Sequence, residues 1–284
     1  MRVEPPVSSP ATLSEAYALL GAGDGWRPVA GGTDLMVEIT GDLAPPPERV
    51  LDIWHVPELR GIELADGVLV LGALTTYTDI RRSVLCQEQL PALVECAATI
   101  GAAQIQNRGT IGGNVVNASP AGDTLPILLA TDAELVLGSA RGERTVAAGD
   151  FWPAYRQTAR LPDELLLCIR IPLPRGRQVR FRKVGTRRAR AISKVVMALS
   201  WREDGGVWRD VRVALGSVAP TPIRAALTER VLEGAAPRQT TADHAASVLA
   251  AEIHPIDDVR STADYRRVVS ARILHRLLRE AGGW

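Results

Sequence analysis

Two segments of the chain contain more glycine and small polar residues than tight turns require. The first is Val29-Ala-Gly-Gly-Thr-Asp-Leu35, and the second runs from Gly109 to Asp123. Paired glycines let backbone N–H groups approach an anion without a Cβ in the way, and successive N–H groups can form a concave nest for phosphate oxygens. The two segments therefore predict a site for a phosphate-bearing ligand, although each glycine pair alone is also compatible with an ordinary turn.

Polar side chains beside these glycines would complete such a site. Thr33, Thr110 and Asn114 can donate hydrogen bonds, and the carboxylate of Asp123 can accept them from sugar hydroxyls. This combination predicts recognition of a pyrophosphate and a ribose. Neither segment fits the G-x-G-x-x-G or G-x-x-x-x-G-K-[ST] pattern, so Rossmann and P-loop sites do not explain them.

The composition describes a folded protein and excludes several classes. The chain has 284 residues, of which 46% are hydrophobic and 23% charged, and its net charge is +1. These values exclude a disordered or fibrous chain and indicate one large or two modest domains. No uncharged apolar run reaches the roughly 18 residues of a membrane span, and the first ten residues lack the apolar stretch of a secretory signal. We expect a cytoplasmic protein with no membrane partner.

Metal binding, disulfides and nucleic-acid binding are not expected. The three cysteines, Cys86, Cys96 and Cys168, are odd in number and widely spaced, and the four histidines have no metal-ligand spacing. The near-zero net charge argues against nucleic acid, which is bound through an excess of Lys and Arg. Iron, zinc or iron-sulfur chemistry would have to reside in another chain.

Hydrophobic periodicity predicts a mixture of helices and strands with a domain boundary near residue 175. The segment at 173–178 has linker character because of its prolines, glycine and charges. The main predicted elements are a helix after the capping box Thr12-Leu-Ser-Glu15, a strand at 27–30, a helix at 35–39, a hairpin around Asp66-Gly67, a small-residue helix at 90–101, a helix at 125–130, strands at 165–171, 195–201 and 211–217, and an amphipathic helix at 268–278.

Three motifs carry a family resemblance. Ala30-Gly-Gly-Thr-Asp-Leu-Met36, Thr110-Ile-Gly-Gly-Asn114 and Ala118-Ser-Pro-Ala-Gly-Asp123 resemble the FAD-binding medium subunits of molybdenum hydroxylases, the xanthine dehydrogenase and carbon monoxide dehydrogenase family. The segment from Arg182 to Val195 resembles the opening of that family's C-terminal domain. Order, spacing and length agree over almost the whole chain.

The resemblance implies an α+β fold with an FAD-binding domain of the PCMH-like type at 1–175, made of subdomains at about 1–55 and 56–175. A smaller α+β C-terminal domain follows at 176–284. It also implies no catalytic residue and a set of FAD-binding residues, which are Ala30, Gly31, Gly32, Thr33, Asp34, Ile100, Thr110, Ile111, Gly112, Gly113, Asn114, Asp123, Leu166 and Lys183.

Roles within that set are also implied by the resemblance. The pyrophosphate would lie on the turns at 30–34 and 110–114, and Asp123 would bind ribityl or ribose hydroxyls. Leu166 and Lys183 match positions that approach the isoalloxazine ring. Ile100 matches a flavin-facing position that is aromatic in animal xanthine dehydrogenases, so its aliphatic side chain would alter ring packing.

The scarcity of lysine in the chain points to Lys183 independently of the family resemblance. Only Lys183 and Lys194 among the 33 basic residues are lysines. A lysine ammonium is a compact point charge that can stabilise negative charge on a reduced flavin, whereas a solvent-facing role is the ordinary alternative. No role is assigned to Lys194. Nine basic and no acidic residues lie between Arg175 and Lys194, a run that could attract FAD phosphates, a dinucleotide acceptor or an acidic partner.

The implied function is electron transfer within a complex. FAD would take electrons from a [2Fe-2S] small subunit, fed by a molybdopterin large subunit, and pass them to NAD, oxygen or another acceptor. The segment at 187–194 slightly favours the purine-oxidising branch. Two alternatives stay open, which are a self-sufficient FAD enzyme similar to UDP-N-acetylenolpyruvoylglucosamine reductase or vanillyl-alcohol oxidase, and a scaffold that has lost FAD.

Overall fold

Three separate β-sheets organise the chain. The computed structural model describes residues 5–41, 45–187 and 191–284. The sheets lie within residues 7–52, 62–172 and 178–224. This mixture of sheets and helices confirms the predicted α+β class. We propose that the domains divide at 55/56 and at 175/176, as predicted, because each boundary falls between two sheets.

The first sheet is small and parallel, with β3 in the centre. Its elements are β1 (Val7–Ser8), α1 (Leu13–Gly21), β2 (Trp26–Val29), α2 (Leu35–Thr40) and β3 (Arg49–Asp52). The predicted capping box begins α1, since the Thr12 hydroxyl accepts the N–H of Glu15 at 3.2 Å. Ala16 and Leu51 are fully buried in the core beneath this sheet.

The second sheet is antiparallel, in the order β4-β5-β8-β6-β7. Its strands are β4 (Ile62–Ala65), β5 (Val68–Gly72), β6 (Glu134–Ser139), β7 (Gly142–Ala147) and β8 (Leu165–Pro172). The predicted hairpin turns at Asp66 and Gly67, which both have positive φ, as its tight two-residue turn requires.

Six short helices lie between β5 and β6, and a seventh follows β7. They are α3 (Tyr77–Arg82), α4 (Val84–Gln89), α5 (Pro91–Thr99), α6 (Ala103–Arg108), α7 (Ile111–Asn117), α8 (Leu125–Ala130) and α9 (Ala148–Phe151). The sequence predicts α5 and α8. A single 3-10 turn occupies Pro57–Leu59 before β4.

The third sheet belongs to the C-terminal part and has the order β12-β11-β10-β9, all antiparallel. Its elements are β9 (Gln178–Val184), β10 (Val195–Asp204), β11 (Val207–Gly216), β12 (Ile223–Arg224), α10 (Ala226–Leu232), α11 (Gln239–Glu252) and α12 (Ala263–Gly282). Within the described residues, no helix is both long and apolar enough to cross a bilayer.

Both faces of the third sheet are buried. Along β10, Val195 and Met197 pack into the C-terminal core, whereas the alternate residues Val196 and Ala198 join the core of the FAD-binding part. At the sheet edge, the Asp132 carboxylate pairs with three guanidiniums of the C-terminal part, those of Arg177 at 3.6 Å, Arg212 at 3.2 Å and Arg224 at 3.0 Å. Apolar packing and charge thus hold the third sheet against α8.

Candidate functional site

A cavity of about 1630 Å³ lies where the regions of the three sheets meet. It exceeds the roughly 300–1,000 Å³ of ordinary small-molecule pockets, so it has room for an extended ligand. Both glycine segments line it, as do residues of β8, β9 and the loop after β11. Of the fourteen residues that the family resemblance assigns to the site, thirteen line this cavity and Ile111 does not.

The first glycine segment connects β2 to α2 and offers bare backbone to the cavity. Gly32 has φ of +74°, a left-handed conformation that favours glycine. The N–H groups of Gly31, Gly32 and Thr33 have no hydrogen-bond acceptor within residues 5–41, 45–187 and 191–284. These donors are therefore available to an anionic ligand, as the sequence predicts for this segment.

The second glycine segment differs from the prediction. Residues 111–114 are not a turn with free N–H groups, because Thr110 precedes α7 as its N-cap and its hydroxyl accepts the N–H of Gly113 at 3.0 Å. The N–H groups of Ile111 and Gly112 donate to the carbonyl oxygens of Thr75 and Ala73, at 2.9 Å and 3.0 Å. The N–H of Asn114 donates to Thr110 O. The predicted N–H nest at 110–114 is therefore wrong.

The two glycines of this segment serve different purposes. A β-carbon on Gly112 would lie 2.5 Å from the carbonyl oxygen of Ala73, so this glycine is required by packing and not by approach of a ligand. Gly113 is exposed and lines the cavity, and only the Thr110 hydroxyl, at 3.0 Å, lies near its missing β-carbon. Ile111 is fully buried in the core and does not line the cavity, and its assignment to FAD binding stays a prediction.

Asp123 and Lys183 form a buried ion pair at the cavity wall. Lys183 Nζ lies 2.5 Å from Asp123 Oδ2, and each side chain is 10% exposed. Ser193 donates to the other carboxylate oxygen, and Lys183 Nζ also lies 3.4 Å from the carbonyl oxygen of Thr99. Burial raises the pKa of the Asp123 carboxyl, and the nearby ammonium and the two hydrogen bonds oppose that rise.

The pairing changes what the sequence suggested for these two residues. Taken separately, the two residues are predicted to act differently, with Asp123 accepting from sugar hydroxyls and Lys183 offsetting negative charge on the flavin. Both carboxylate oxygens of Asp123 already accept hydrogen bonds from the C-terminal part, Lys183 on β9 and Ser193 just before β10. The pair therefore joins the two parts of the chain as well as lining the cavity.

Apolar side chains complete the wall. Ile100, which directly follows α5, and Leu166, which is 4% exposed on β8, both line the cavity. The backbone at Ile100 is held by the buried Gln106, whose Nε2 donates to the Ile100 carbonyl oxygen at 2.9 Å. No motif marks Gln106, so sequence reasoning missed this supporting residue.

A loop before β8 supplies wall residues that no sequence pattern indicated. Arg156 Nη1 lies 3.5 Å from Asn117 Oδ1 and 3.9 Å from Glu38 Oε1, so it links the loop to both glycine regions. Arg160 also lines the cavity, and its Nη1 donates to the Glu164 carbonyl oxygen at 2.7 Å. A charged surface loop has the same composition, which is why the sequence alone could not identify them.

The basic run between residues 175 and 194 does not form one anion-attracting patch among the described residues. Most of its members have separate partners: Arg177 pairs with Asp132, Arg182 with Glu280 and Lys183 with Asp123, whereas Arg180 lies over Trp201 and Lys194 over Tyr265. Arg188 and Arg190 lie outside the described residues. Lys194 therefore has a cation–π partner away from the buried pair.

Two family profiles match adjoining parts of the chain. Residues 2–174 match the profile described as "FAD binding domain in molybdopterin dehydrogenase", and residues 180–281 match "CO dehydrogenase flavoprotein C-terminal domain". The chain therefore belongs to the FAD-binding medium subunits of the xanthine dehydrogenase and carbon monoxide dehydrogenase family, and FAD is its cofactor.

Relatives match over nearly their full length. The chain is 33% identical to the carbon monoxide dehydrogenase medium chain of Hydrogenophaga pseudoflava, covering 96% of this chain and 95% of that one. It is 31% identical to the xanthine dehydrogenase FAD-binding subunit of Escherichia coli O157:H7, covering 96% of each. Among solved structures, carbon monoxide dehydrogenase of Hydrogenophaga pseudoflava superposes with a TM-score of 0.92 at 32% identity, over 97% of this chain and 96% of the other.

The described residues fit FAD on chemical grounds. The unpartnered N–H groups at Gly31 to Thr33 suit a pyrophosphate, and the cavity volume suits an extended dinucleotide. The Ile100 and Leu166 side chains offer apolar surface to a planar ring system. No histidine lies in either glycine segment, and no cysteine does, which leaves no side chain there for a covalent flavin link.

Proposed function

We propose that this chain is the electron-transferring flavoprotein subunit of a heteromeric molybdenum hydroxylase. It holds FAD in the cavity described above, receives electrons from a [2Fe-2S] small subunit and delivers them to an external acceptor. A molybdopterin large subunit oxidises the substrate. The observation that carries this proposal is the single cavity shared by the glycine segment at 30–34, Asn114 and the buried Lys183–Asp123 pair.

Each part of the cavity has a proposed task in holding the cofactor. The N–H groups of Gly31, Gly32 and Thr33 bind phosphate oxygens, and the Asn114 amide donates beside them. Because Gly113 has no side chain, its backbone can lie close to the ligand. Ile100 and Leu166 pack against the ring, and the Lys183 ammonium, paired with Asp123, lies at the wall beside it.

Bound FAD supplies the exchange between one-electron and two-electron transfer. The chain contributes orientation and electrostatics rather than proton chemistry. Within the described residues, no group of three His, Cys, Asp or Glu is placed to hold a metal. The proposal assigns the metal centres of the reaction to the partner subunits.

The substrate of the complex is selected outside this chain. Medium-subunit relatives carry the names of dehydrogenases for carbon monoxide, glyceraldehyde, xanthine and nicotinate. These substrates share no chemistry that one cavity in a common subunit could recognise. The slight preference for a purine rests on residues 187–194, of which 188–190 lie outside the described structure. The acceptor is NAD, oxygen or another oxidant.

The test compares the isolated chain with the complex purified through a tag on this chain. We expect the tag to recover a [2Fe-2S] subunit and a molybdopterin subunit. The isolated chain should oxidise none of carbon monoxide, xanthine or an aldehyde, whereas the complex oxidises one. Removing FAD from the complex should abolish acceptor reduction while substrate still bleaches the iron-sulfur absorption.

Two results would overturn the proposal. Robust substrate oxidation by the isolated chain would identify a self-sufficient flavin enzyme. Unchanged acceptor reduction by the FAD-free complex would remove this chain from the electron path.

A further inference from the structure

We infer that Thr124 is a positioning residue that fixes the side-chain amide of Asn114 with its N–H donors facing the FAD cavity. The inference rests on the proposed function, because it assigns Asn114 to FAD. The family resemblance gives no role to Thr124, and this residue does not line the cavity.

The two side chains come together beneath the cavity wall. Asn114 lies in α7, lines the cavity and is half-buried, whereas Thr124 immediately precedes α8 and is fully buried. The Thr124 hydroxyl oxygen lies 2.5 Å from Asn114 Oδ1. Ten residues separate the two in sequence, so the contact depends on how the loop at 118–123 folds back.

The donors and acceptors available to the two side chains determine the direction of this hydrogen bond. A hydroxyl has one proton to donate, and Asn114 Oδ1 is the single acceptor found for the Thr124 hydroxyl among the described residues. If the amide were turned around, Nδ2 would donate to the hydroxyl, whose own buried proton would then have no acceptor. Leaving a buried donor unpaired is costly, so the carbonyl end of the amide faces Thr124.

The opposite end of the amide is then directed away from Thr124. Asn114 Nδ2 has no hydrogen-bond partner in the described part of the chain, and it is not among the buried polar atoms left unpartnered. Its two N–H groups are therefore accessible from the cavity that the residue lines. Without Thr124, the soft terminal torsion of asparagine would also let the carbonyl oxygen face the ligand, where it would repel a phosphate.

The hydroxyl has no other structural duty at this position. Thr124 precedes α8 but its side chain does not cap the helix. The first turn is held by the Thr124 carbonyl oxygen, which accepts the N–H groups of Ile127 at 3.0 Å and Leu128 at 3.2 Å. Removing the hydroxyl therefore leaves the backbone interactions of α8 in place and isolates the effect on Asn114.

The experiment measures FAD affinity of the FAD-depleted full chain by quenching of flavin fluorescence. Thr124→Val keeps the side-chain shape and removes the hydroxyl, and we expect the Kd for FAD to rise about three- to tenfold, the range for one lost hydrogen bond. Thr124→Ser keeps the hydroxyl and should retain the wild-type Kd. Thr131→Val is the matched control, because Thr131 is buried at the other end of α8 and donates to Ile127 O at 2.8 Å.

A double-mutant cycle separates positioning from general structural damage. Asn114→Ala alone should weaken FAD binding, and adding Thr124→Val to it should cause no further loss. A wild-type Kd in Thr124→Val, or an equal loss in the Asn114→Ala background, would overturn the inference. A wild-type Kd in Asn114→Ala would also overturn it, whereas the proposed function would survive because the chain still binds FAD.

Discussion

The carbonyl oxygen of Arg108 lies 1.7 Å from where a β-carbon on Gly31 would be. No side chain of any size fits at position 31, so the chain entering the second glycine segment packs directly on the first. Segments that are almost eighty residues apart in sequence thereby form one wall of the FAD cavity. Arg108 is held in turn by stacking of its guanidinium 3.9 Å from the centre of the Trp54 ring.

Gly31→Ala tests this close approach. The new methyl group would force the backbone at Arg108 away, and overpacking of this kind costs about 1–3 kcal/mol of unfolding free energy. We expect lower stability in urea and a large loss of FAD affinity. Gly21→Ala is the control, because a β-carbon there meets nothing within 4 Å. Wild-type stability and FAD affinity in Gly31→Ala would contradict the packing seen here.

Gly112 and Gly113 should respond differently to the same substitution. Gly112→Ala places a methyl group against the Ala73 carbonyl and should destabilise the FAD-free chain by about 1–3 kcal/mol. Gly113→Ala brings a methyl group to 3.0 Å from the Thr110 hydroxyl, a small shift that the helix preference of alanine, up to about 1 kcal/mol, offsets, so it should destabilise the FAD-free chain less than Gly112→Ala does. It should nevertheless weaken FAD binding, because its methyl group faces the cavity.

Unfolding in urea of the FAD-free variants, followed by FAD titration, checks this contrast. Equal stability losses in the two variants would show that both glycines serve packing alone.

Lys183→Met should produce a stability defect that depends on pH. Removing one partner of a buried ion pair costs about 3–5 kcal/mol when the remaining charge stays ionised. Without the ammonium, the pKa of Asp123, already raised by burial, rises further. At Asp123 the folded variant then binds a proton more readily than the unfolded chain does. The contribution of Asp123 to the free energy of unfolding is therefore most favourable below the unfolded pKa of about 3.9 and declines as pH rises above it.

The measurement is urea unfolding of Lys183→Met and wild type across a pH series from about 5 to about 8, above the unfolded pKa. We expect the larger deficit at the higher pH. The double variant Lys183→Met/Asp123→Asn has no buried carboxylate, so its deficit should be the same throughout the pH series. A single-variant deficit that does not change with pH would argue against a buried ionised Asp123.

The same pair governs the expected effect on flavin potential. Lys183 and Asp123 together carry no net charge, and in the Lys183→Met variant the charge of Asp123 depends on pH, so Lys183→Met alone is a poor probe of the potential. Asp123→Asn leaves the ammonium unpaired at the cavity wall and should raise the FAD midpoint potential by on the order of tens of millivolts. Spectroelectrochemical titration checks this, and an unchanged or lower midpoint would separate Lys183 from the flavin.

The sequence predicted those parts of the fold that depend on local signals. The capping box at Thr12 identified α1, the Asp66-Gly67 turn identified a hairpin, and apolar runs identified α8, β8 and β10. Helix α7 was missed because two glycines oppose helix formation. Capping by Thr110 and backbone pairing with residues 73–77 outweigh that preference, and both depend on tertiary structure.

The sequence predicted which residues line the cavity better than it predicted how those residues interact. Glycine-rich motifs identified most of the residues that line the cavity, because those motifs reflect close backbone approach. The Lys183–Asp123 pair spans sixty residues, and the orientation of Asn114 depends on the buried Thr124, so no sequence spacing could reveal either. Among the described residues, the N–H groups at 31–33 are free, whereas packing and the start of α7 use those at 111–114.

The central claim, that this chain holds FAD in the shared cavity, is tested most directly by the visible spectrum of the purified chain followed by chromatography of any chromophore released on heating. The account predicts a yellow protein with one non-covalent FAD per chain, and loss of that FAD in Gly31→Ala. A colourless wild-type protein that also fails to bind added FAD would contradict it.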